Sequence, residues 1–275
     1  MKVHLYGTRG SIPVSHPNFQ EFGGNTTCVM VELENGNIGI IDAGTGIRRL
    51  GKDIIARGIE QYDNIYLGLT HFHWDHIQGF PFFEPAYDPR RHFTISVIGV
   101  HRSDLDVEGI FSTQMKSEYF PVPFDKMGAR FSFQQSEEHQ FLGAGALVKA
   151  LPHHHPGIAY SYRVEEYATG RVLVFSTDVE HGGNIDPLFV EFARNADLLI
   201  HDGQYTPEEL ETKRGWGHSS WEEAVEVAER ANVKRLCITH HDPDHDDDFL
   251  IKMESQCKDR FPNCFLAREG MVIDV

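Results

Sequence analysis

The chain has 275 residues, 40% of them hydrophobic, and a formal net charge of −16. That length can bury one large α/β core, and so strong an acid excess argues against the broad phosphate-binding surface that long nucleic acids demand while leaving room for a small anionic substrate. No apolar run approaches the roughly 18 residues of a membrane span, the amino-terminal MKVHLYGTRG lacks a signal-peptide core, and four cysteines without a CxxC pair are too sparse for a disulfide framework, so the chain reads as soluble and cytoplasmic with no membrane partner.

Apolar stretches predict strands first at Cys28–Leu33 and Ile38–Asp42. Ile47, Leu50, Ile54 and Ile55 then recur at helical spacing until Gly58. Strands follow at Ile65–Thr70 and Phe93–Ile98. Between His101 and Arg130 the periodicity is weak, and the span is too long for an ordinary connection. It suits a lid or substrate wall, and equally an irregular structural excursion. Further strands are predicted at Ala146–Leu151, Ile158–Val164, Val172–Thr177, Leu198–His201 and Val233–Thr239. A Ser220-x-x-Glu223 capping box opens a helix carrying Ala224, Val227, Ala228 and Ala231 on one face, and a last helix is expected from Asp248. Asp244, His245 and the run Asp246–Asp248 read as the solvated start of that helix rather than as a metal cluster. With no linker or repeat, residues 1–275 are expected to form one α/β domain, two sheets face to face with helices outside.

Histidine is abundant, with 17 in the chain. Thr70-His71-Phe72-His73-Trp74-Asp75-His76 follows an apolar strand and precedes Gly79, at a strand exit where side chains can converge. Alternation sends His71 and His73 to one side, and the turn beyond can carry Asp75 and His76 to a second ion. Imidazole with carboxylate suits zinc, manganese or iron. Trp74 is expected to pack rather than to flank substrate. More donors stand beside later strands, in His153-His154-His155-Pro156-Gly157, Ser176-Thr177-Asp178 and Thr239-His240-His241-Asp242-Pro243. Taken singly, the triple histidine equally describes a solvated turn, and Asp178 a cap or turn residue. Gly7, Gly10, Gly44, Gly46 and Gly79 are expected to permit tight strand ends nearby.

Together with Gly7-Thr8-Arg9-Gly10-Ser11-Ile12-Pro13, Asn25-Thr26-Thr27 and Ile41-Asp42-Ala43-Gly44-Thr45-Gly46, these motifs make the sequence resemble the metallo-β-lactamase superfamily, in the branch of tRNase Z and the phosphoribosyl cyclic phosphodiesterases. The resemblance implies an αββα sandwich with two divalent ions at one edge. It implies His71, His73 and His155 around the first ion, Asp75, His76 and His240 around the second, and Asp178 bridging them. His155 is preferred to His153 or His154 because it directly precedes Pro156-Gly157 at the family's spacing from Tyr162-Arg163. His240 is preferred to His241 because it follows Thr239. His201-Asp202-Gly203-Gln204-Tyr205-Thr206 with Gly217-His218-Ser219-Ser220 resembles the paired elements that set an acidic residue beside a histidine in this branch. That likeness implies His218 as general acid and Asp202 as its orienting partner, since a carboxylate can hold an imidazole's tautomer. Asp202 departs from the Glu usual in tRNase Z, and His218 could instead merely lead into the helix capped at Ser220.

The expected cofactors are two divalent ions, zinc first with manganese or iron as alternatives, sharing a hydroxide available near neutral pH. The expected reaction is in-line phosphodiester hydrolysis, with Asp75 orienting the hydroxide and His218 protonating the departing oxygen. His73 argues against the oxygen-reducing diiron branch, and Asp178 with Gly217-His218-Ser219 argues against antibiotic hydrolysis. A small cyclic nucleotide or cyclic sugar phosphate is the expected substrate. Lacking an evident Gly/Pro-rich basic arm, the chain is expected to take no long nucleic acid as partner, and homodimer formation is left open. The rivals are hydrolysis of a carbonyl ester, lactone or thioester at the same site, and a non-catalytic metal-bearing protein that binds a nucleotide.

Overall fold

A computed structural model describes residues 1–58, 64–99, 102, 104–137 and 139–275. Strands that are apolar on both faces must be covered on both, and four layers meet that demand. The first sheet holds β1 (Lys2–Gly7), β2 (Cys28–Glu32), β3 (Ile38–Ile41), β4 (Asn64–Gly68), β5 (His92–Ile98) and β6 (Arg130–Ser136) in sequence order. The second holds β7 (His139–Leu142), β8 (Ala146–His153), β9 (Ala159–Glu166), β10 (Val172–Ser176), β11 (Leu198–Asp202), β12 (Leu236–Thr239) and β13 (Cys264–Leu266), and the last strand, β14 (Val272–Asp274), returns to pair with β1. Between the sheets, Val29, Val31 and Ile41 meet Tyr162, Phe175, Ile200 and Cys237.

Outside the first sheet, Met30, Ile40, Leu67 and Phe93 pack with Ile47, Leu50 and Ile54 of helix α1 (Ile47–Arg57). Ile55, placed on the same apolar face by its spacing, is instead 41% exposed. A single turn, α2 (Trp74–Ile77), leads on to α3 (Val107–Gln114). Residues 101 and 103 of the weakly periodic span lie outside the described residues. Phe111, Met115, Phe124 and Met127 of that span are buried against the first sheet, while Thr113, Gln114 and Tyr119 line a cleft beside Trp74. Outside the second sheet lie α4 (Pro187–Ala193), α5 (Pro207–Lys213), α6 (Trp221–Arg230) and α7 (Asp247–Arg260). There Phe189, Ala224, Val227, Leu250 and Met253 cover Val174, Leu199, Leu236 and Ile238. The Ser220–Glu223 capping box forms as its spacing predicts. Asp246 caps α7, so that helix starts one residue ahead of the predicted Asp248. This is an αββα sandwich, as the sequence predicted.

The sandwich positions the site through its strand ends. The parallel run β10, β11, β12 and the parallel pair β3, β4 discharge their carboxyl ends at one edge, directly ahead of Asp178, Asp202, His240 and the His71–His76 turn. No helix among the described residues is long and apolar enough to cross a membrane.

Candidate metal centre

Beyond Gly68 the chain leaves the sheet, and His71, Asp75 and His76 turn inward to burial while His73 stays exposed. His155, two residues past the end of β8, meets them from the second sheet: its Nε2 lies 3.0 Å from His73 Nδ1, and its ring centroid is 4.8 Å from that of His71. A second group forms deeper. His76 Nε2 lies 3.3 Å from Asp75 Oδ2, and His240 Nε2 lies 3.2 Å from the same oxygen.

Asp178 spans the two groups. Its Oδ1 faces His71 Nε2 at 3.7 Å and His155 Nε2 at 3.9 Å, while its Oδ2 faces His76 Nε2 at 3.1 Å and His240 Nε2 at 3.3 Å. Asp178 and His240 both carry left-handed backbone, φ +57° and +63°, a conformation that non-glycine residues adopt at some cost.

The outward nitrogens of the imidazoles are held from behind. His76 Nδ1 donates to Asp42 Oδ2 at 2.8 Å, His240 Nδ1 to Gln204 Oε1 at 3.1 Å, His155 Nδ1 to the Gly217 carbonyl at 3.0 Å, and His71 Nδ1 to Thr70 Oγ1 at 3.2 Å. Each bond leaves Nε2 of these four as a lone pair aimed at the cluster, the way ligating histidines are oriented. His71 Nε2, His76 Nε2 and Asp178 Oδ2 are buried with no hydrogen-bond partner among the described residues. Buried polar atoms without partners are costly, and here they converge, so the donor set fits a divalent cation. The electrostatics agree. Burial depresses His76, but Asp178, Asp75 and Asp42 outweigh it and push its pKa well up. Burial likewise opposes the charged form of His240, yet Asp178 and Asp75 raise it to about 9. The carboxylates therefore demand positive charge at this point, which a cation meets.

Of the neighbouring candidates, His153 bonds Ser161 Oγ through Nδ1 at 2.9 Å, His154 is exposed, and His241 meets the Ala267 carbonyl at 2.9 Å; none of the three joins the cluster. His245 pairs with Glu209 Oε1 at 2.9 Å, at the start of α7. Trp74, expected to pack, is 66% exposed, because the α2 turn faces its first residue to solvent while Asp75, His76 and Ile77 turn inward.

His218 sits beside this centre, its ring stacked 5.0 Å from His240, and its Nδ1 lies 2.9 Å from Asp202 Oδ2. Burial raises the Asp202 carboxyl, and the His218 imidazole outweighs burial and holds it low. Asp202 also accepts from the backbone N–H groups of Asp178, Gln204 and Ser219. Sequence reasoning gave no role to Asp42, Gln204 or Ser11, whose N–H donates to Asp75 Oδ2 at 2.8 Å. Asp42 lay within a quoted motif, but nothing local announces its partner 34 residues away. Gly10 is confirmed as a tight approach, since a Cβ there would stand 2.4 Å from His240 Nδ1.

Comparison with known proteins matches residues 40–241 to the beta-lactamase superfamily domain. Ribonuclease Z of Archaeoglobus fulgidus is 27% identical, covering 100% of this chain and 97% of its own, and Ribonuclease Z of Gemmatimonas aurantiaca is 37% identical over 43% of this chain and 36% of its own. In fold, the chain is similar to human tRNase Z, short form (TM-score 0.69, 18% identity, 100% and 99% covered), and to a diphosphatase of the PhnP family (TM-score 0.70, 19% identity, 100% and 97% covered). These relatives overturn the expectation that long nucleic acid is excluded as a partner: enzymes named for RNA align over the full chain. Net charge misled because it sums the whole surface, whereas an RNA-cutting site needs positive charge only where phosphate lies, and bound cations can supply it there.

Proposed function

The chain belongs to the beta-lactamase superfamily, and from that membership we propose that it is a metal-dependent phosphodiester hydrolase holding two ions, one on His71, His73 and His155, the other on Asp75, His76 and His240, with Asp178 serving both. The observation that carries this reading is Asp178, whose two oxygens face the two groups separately. Three imidazoles in one group and a mixed imidazole and carboxylate set in the other favour zinc, with manganese or iron as alternatives. When bound, such ions supply a hydroxide nucleophile at neutral pH and offset charge on the phosphoryl oxygens.

The chain's own residues do the rest. Asp75, held by the Ser11 N–H, presents a fixed acceptor that orients the attacking group. His218 is held by Asp202 through Nδ1–H, so that in its doubly protonated, imidazolium form it gives the Nε2 proton to the departing oxygen. This pair favours a substrate that expels an alkoxide over a thioester, whose thiolate departs with little help from a proton, and it disfavours a merely binding role; the preference for a phosphodiester over a carbonyl ester or lactone is supported by the Ribonuclease Z relatives. We take a small cyclic nucleotide or cyclic sugar phosphate as the first substrate. In support, the alignment with the Archaeoglobus relative runs over 321 positions for a chain of 275 residues, so segments of that ribonuclease have no counterpart here. A second reading, cleavage of RNA, is favoured by the Ribonuclease Z relatives.

The test is a parallel assay of the zinc-loaded protein against bis-p-nitrophenyl phosphate, cyclic nucleotides, a precursor tRNA, a lactone and a thioester. Turnover confined to the carbonyl substrates would overturn the phosphodiesterase reading; turnover of the precursor without the cyclic nucleotides would replace the small substrate by RNA.

A further inference from the structure

Two residues beyond Asp178, Glu180 is buried, with 8% of its surface exposed. It joins neither group of metal donors. Its Oε1 accepts the backbone N–H of Gly215 at 2.7 Å, and its Oε2 accepts that of Gly217 at 2.8 Å. The loop it grips is one that few sequences could form. Gly215 and Gly217 have φ +86° and +93°, and a Cβ on Gly217 would stand 1.9 Å from His155 Nδ1. A left-handed glycine loop is entropically loose, and two charge-assisted hydrogen bonds from one carboxylate are a strong way to fix it.

The next residue is His218. Gly217 therefore ends its N–H on Glu180 and its carbonyl on His155 Nδ1 at 3.0 Å, and the chain then turns directly into the imidazole that meets Asp202. A second tie runs in parallel, from Ser219 Oγ to the Val179 carbonyl at 2.5 Å. The loop carrying Asp178 and the loop carrying His218 are thus clamped together by the Glu180 carboxylate, beside Asp202, which accepts the N–H groups of both Asp178 and Ser219.

We propose that Glu180 is a positioning residue: by holding the N–H groups of Gly215 and Gly217 it sets the backbone from which His218 reaches both Asp202 and the departing oxygen. This rests on reading His218 as the proton donor. Misplacing a reacting group by about 1 Å can cost on the order of 10²-fold in rate. Loss of the clamp should therefore fall on the step that needs the proton and leave substrate binding nearly untouched.

The experiment compares Glu180→Ala, Glu180→Gln, His218→Ala and the double variant Glu180→Ala/His218→Ala, all zinc-loaded, on an alkyl and a p-nitrophenyl phosphodiester. Zinc content and the His218 Nδ1–H proton resonance are followed beside the rates. Glu180→Ala should lose roughly 10- to 100-fold in kcat on the alkyl ester, less on the p-nitrophenyl ester, with KM little changed. Glu180→Gln keeps one acceptor oxygen and the side-chain shape; it should fall between, and it carries the test alone if the alanine variant does not fold. The double variant should be no slower than His218→Ala, since residues acting as one unit are not additive. In both Glu180 variants the Nδ1–H resonance should shift or broaden through faster exchange with water. An unchanged resonance together with an unchanged ratio of alkyl to p-nitrophenyl rates would overturn the proposal, and so would fully additive losses. Should His218→Ala itself slow both esters equally, the proton-donor reading falls, while the resonance still decides whether Glu180 holds that loop.

Discussion

His218 Nδ1 lies 2.9 Å from Oδ2 of Asp202, a carboxylate with no exposed surface. A buried carboxylate that also binds the Asp178, Gln204 and Ser219 N–H groups cannot swing, so the imidazole is fixed in orientation and tautomer. His218→Ala should keep its zinc and lose roughly 10²–10⁴-fold in turnover, the range for removing a general acid. The loss should shrink with p-nitrophenolate as leaving group, because a stable anion departs with little help. Asp202→Asn should act in the same direction but by less, with a lowered Tm, since an amide cannot accept all of those N–H groups. Equal rate losses on alkyl and p-nitrophenyl esters would show that His218 is not the donor.

Asp178 offers one oxygen to each group of donors. Asp178→Ala should therefore lower zinc content from about two per chain toward zero rather than toward one. Elemental analysis with anomalous scattering reads both positions, and loss at a single position would refute the shared role.

Gly217 tests how the first group is held. Its φ of +93° strains any L side chain, and a Cβ would collide with the His155 ring. Gly217→Ala should destabilise the fold by about 1–3 kcal/mol, the cost of a sparsely populated backbone region, and weaken zinc binding at the His71, His73 and His155 group first. A titration with a competing chelator should show one weakened site beside one of ordinary affinity.

Far from the metal centre, Glu254 on α7 binds Arg268 Nη1 at 2.9 Å and the Leu266 N–H at 3.0 Å. Burial would raise its carboxyl, but the Arg268 bonds outweigh burial and lower its pKa from 4.5 to about 2. A depressed carboxyl contributes stability above its unfolded pKa, and that contribution drains away as pH falls from about 4.5 to about 2. Glu254→Gln should therefore cost about 1–3 kcal/mol at pH 7, as for a hydrogen bond to a charged group. In thermal melts, the gap in Tm from the parent protein should stay constant above about pH 5.5 and narrow below it. A gap that stays constant down to pH 3 would exclude this linkage.

What the linear chain determined by itself is local: the apolar runs that must be covered on both faces, the Ser220–Glu223 cap, and the donors clustered at strand exits, where alternation and turn chemistry act over a few residues. Strands β1, β6, β7, β13 and β14 escaped that reading. At Arg130–Ser136 the burial is only partial, because a strand with one neighbour on the sheet needs hydrogen bonds more than apolar side chains, and backbone hydrogen bonding leaves no mark in composition. The same limit applied within the site. His153, His154 and His155 are chemically identical, and what separates them is that β8 runs on to His153, turning that side chain to Ser161, while only His155, beyond the strand, swings across to His73. Asp42 and His76, or Glu180 and Gly217, are partners only because separate strands end at one edge of the sandwich. Such contacts depend on how two sheets and their loops pack, and no run of neighbouring residues encodes that distance.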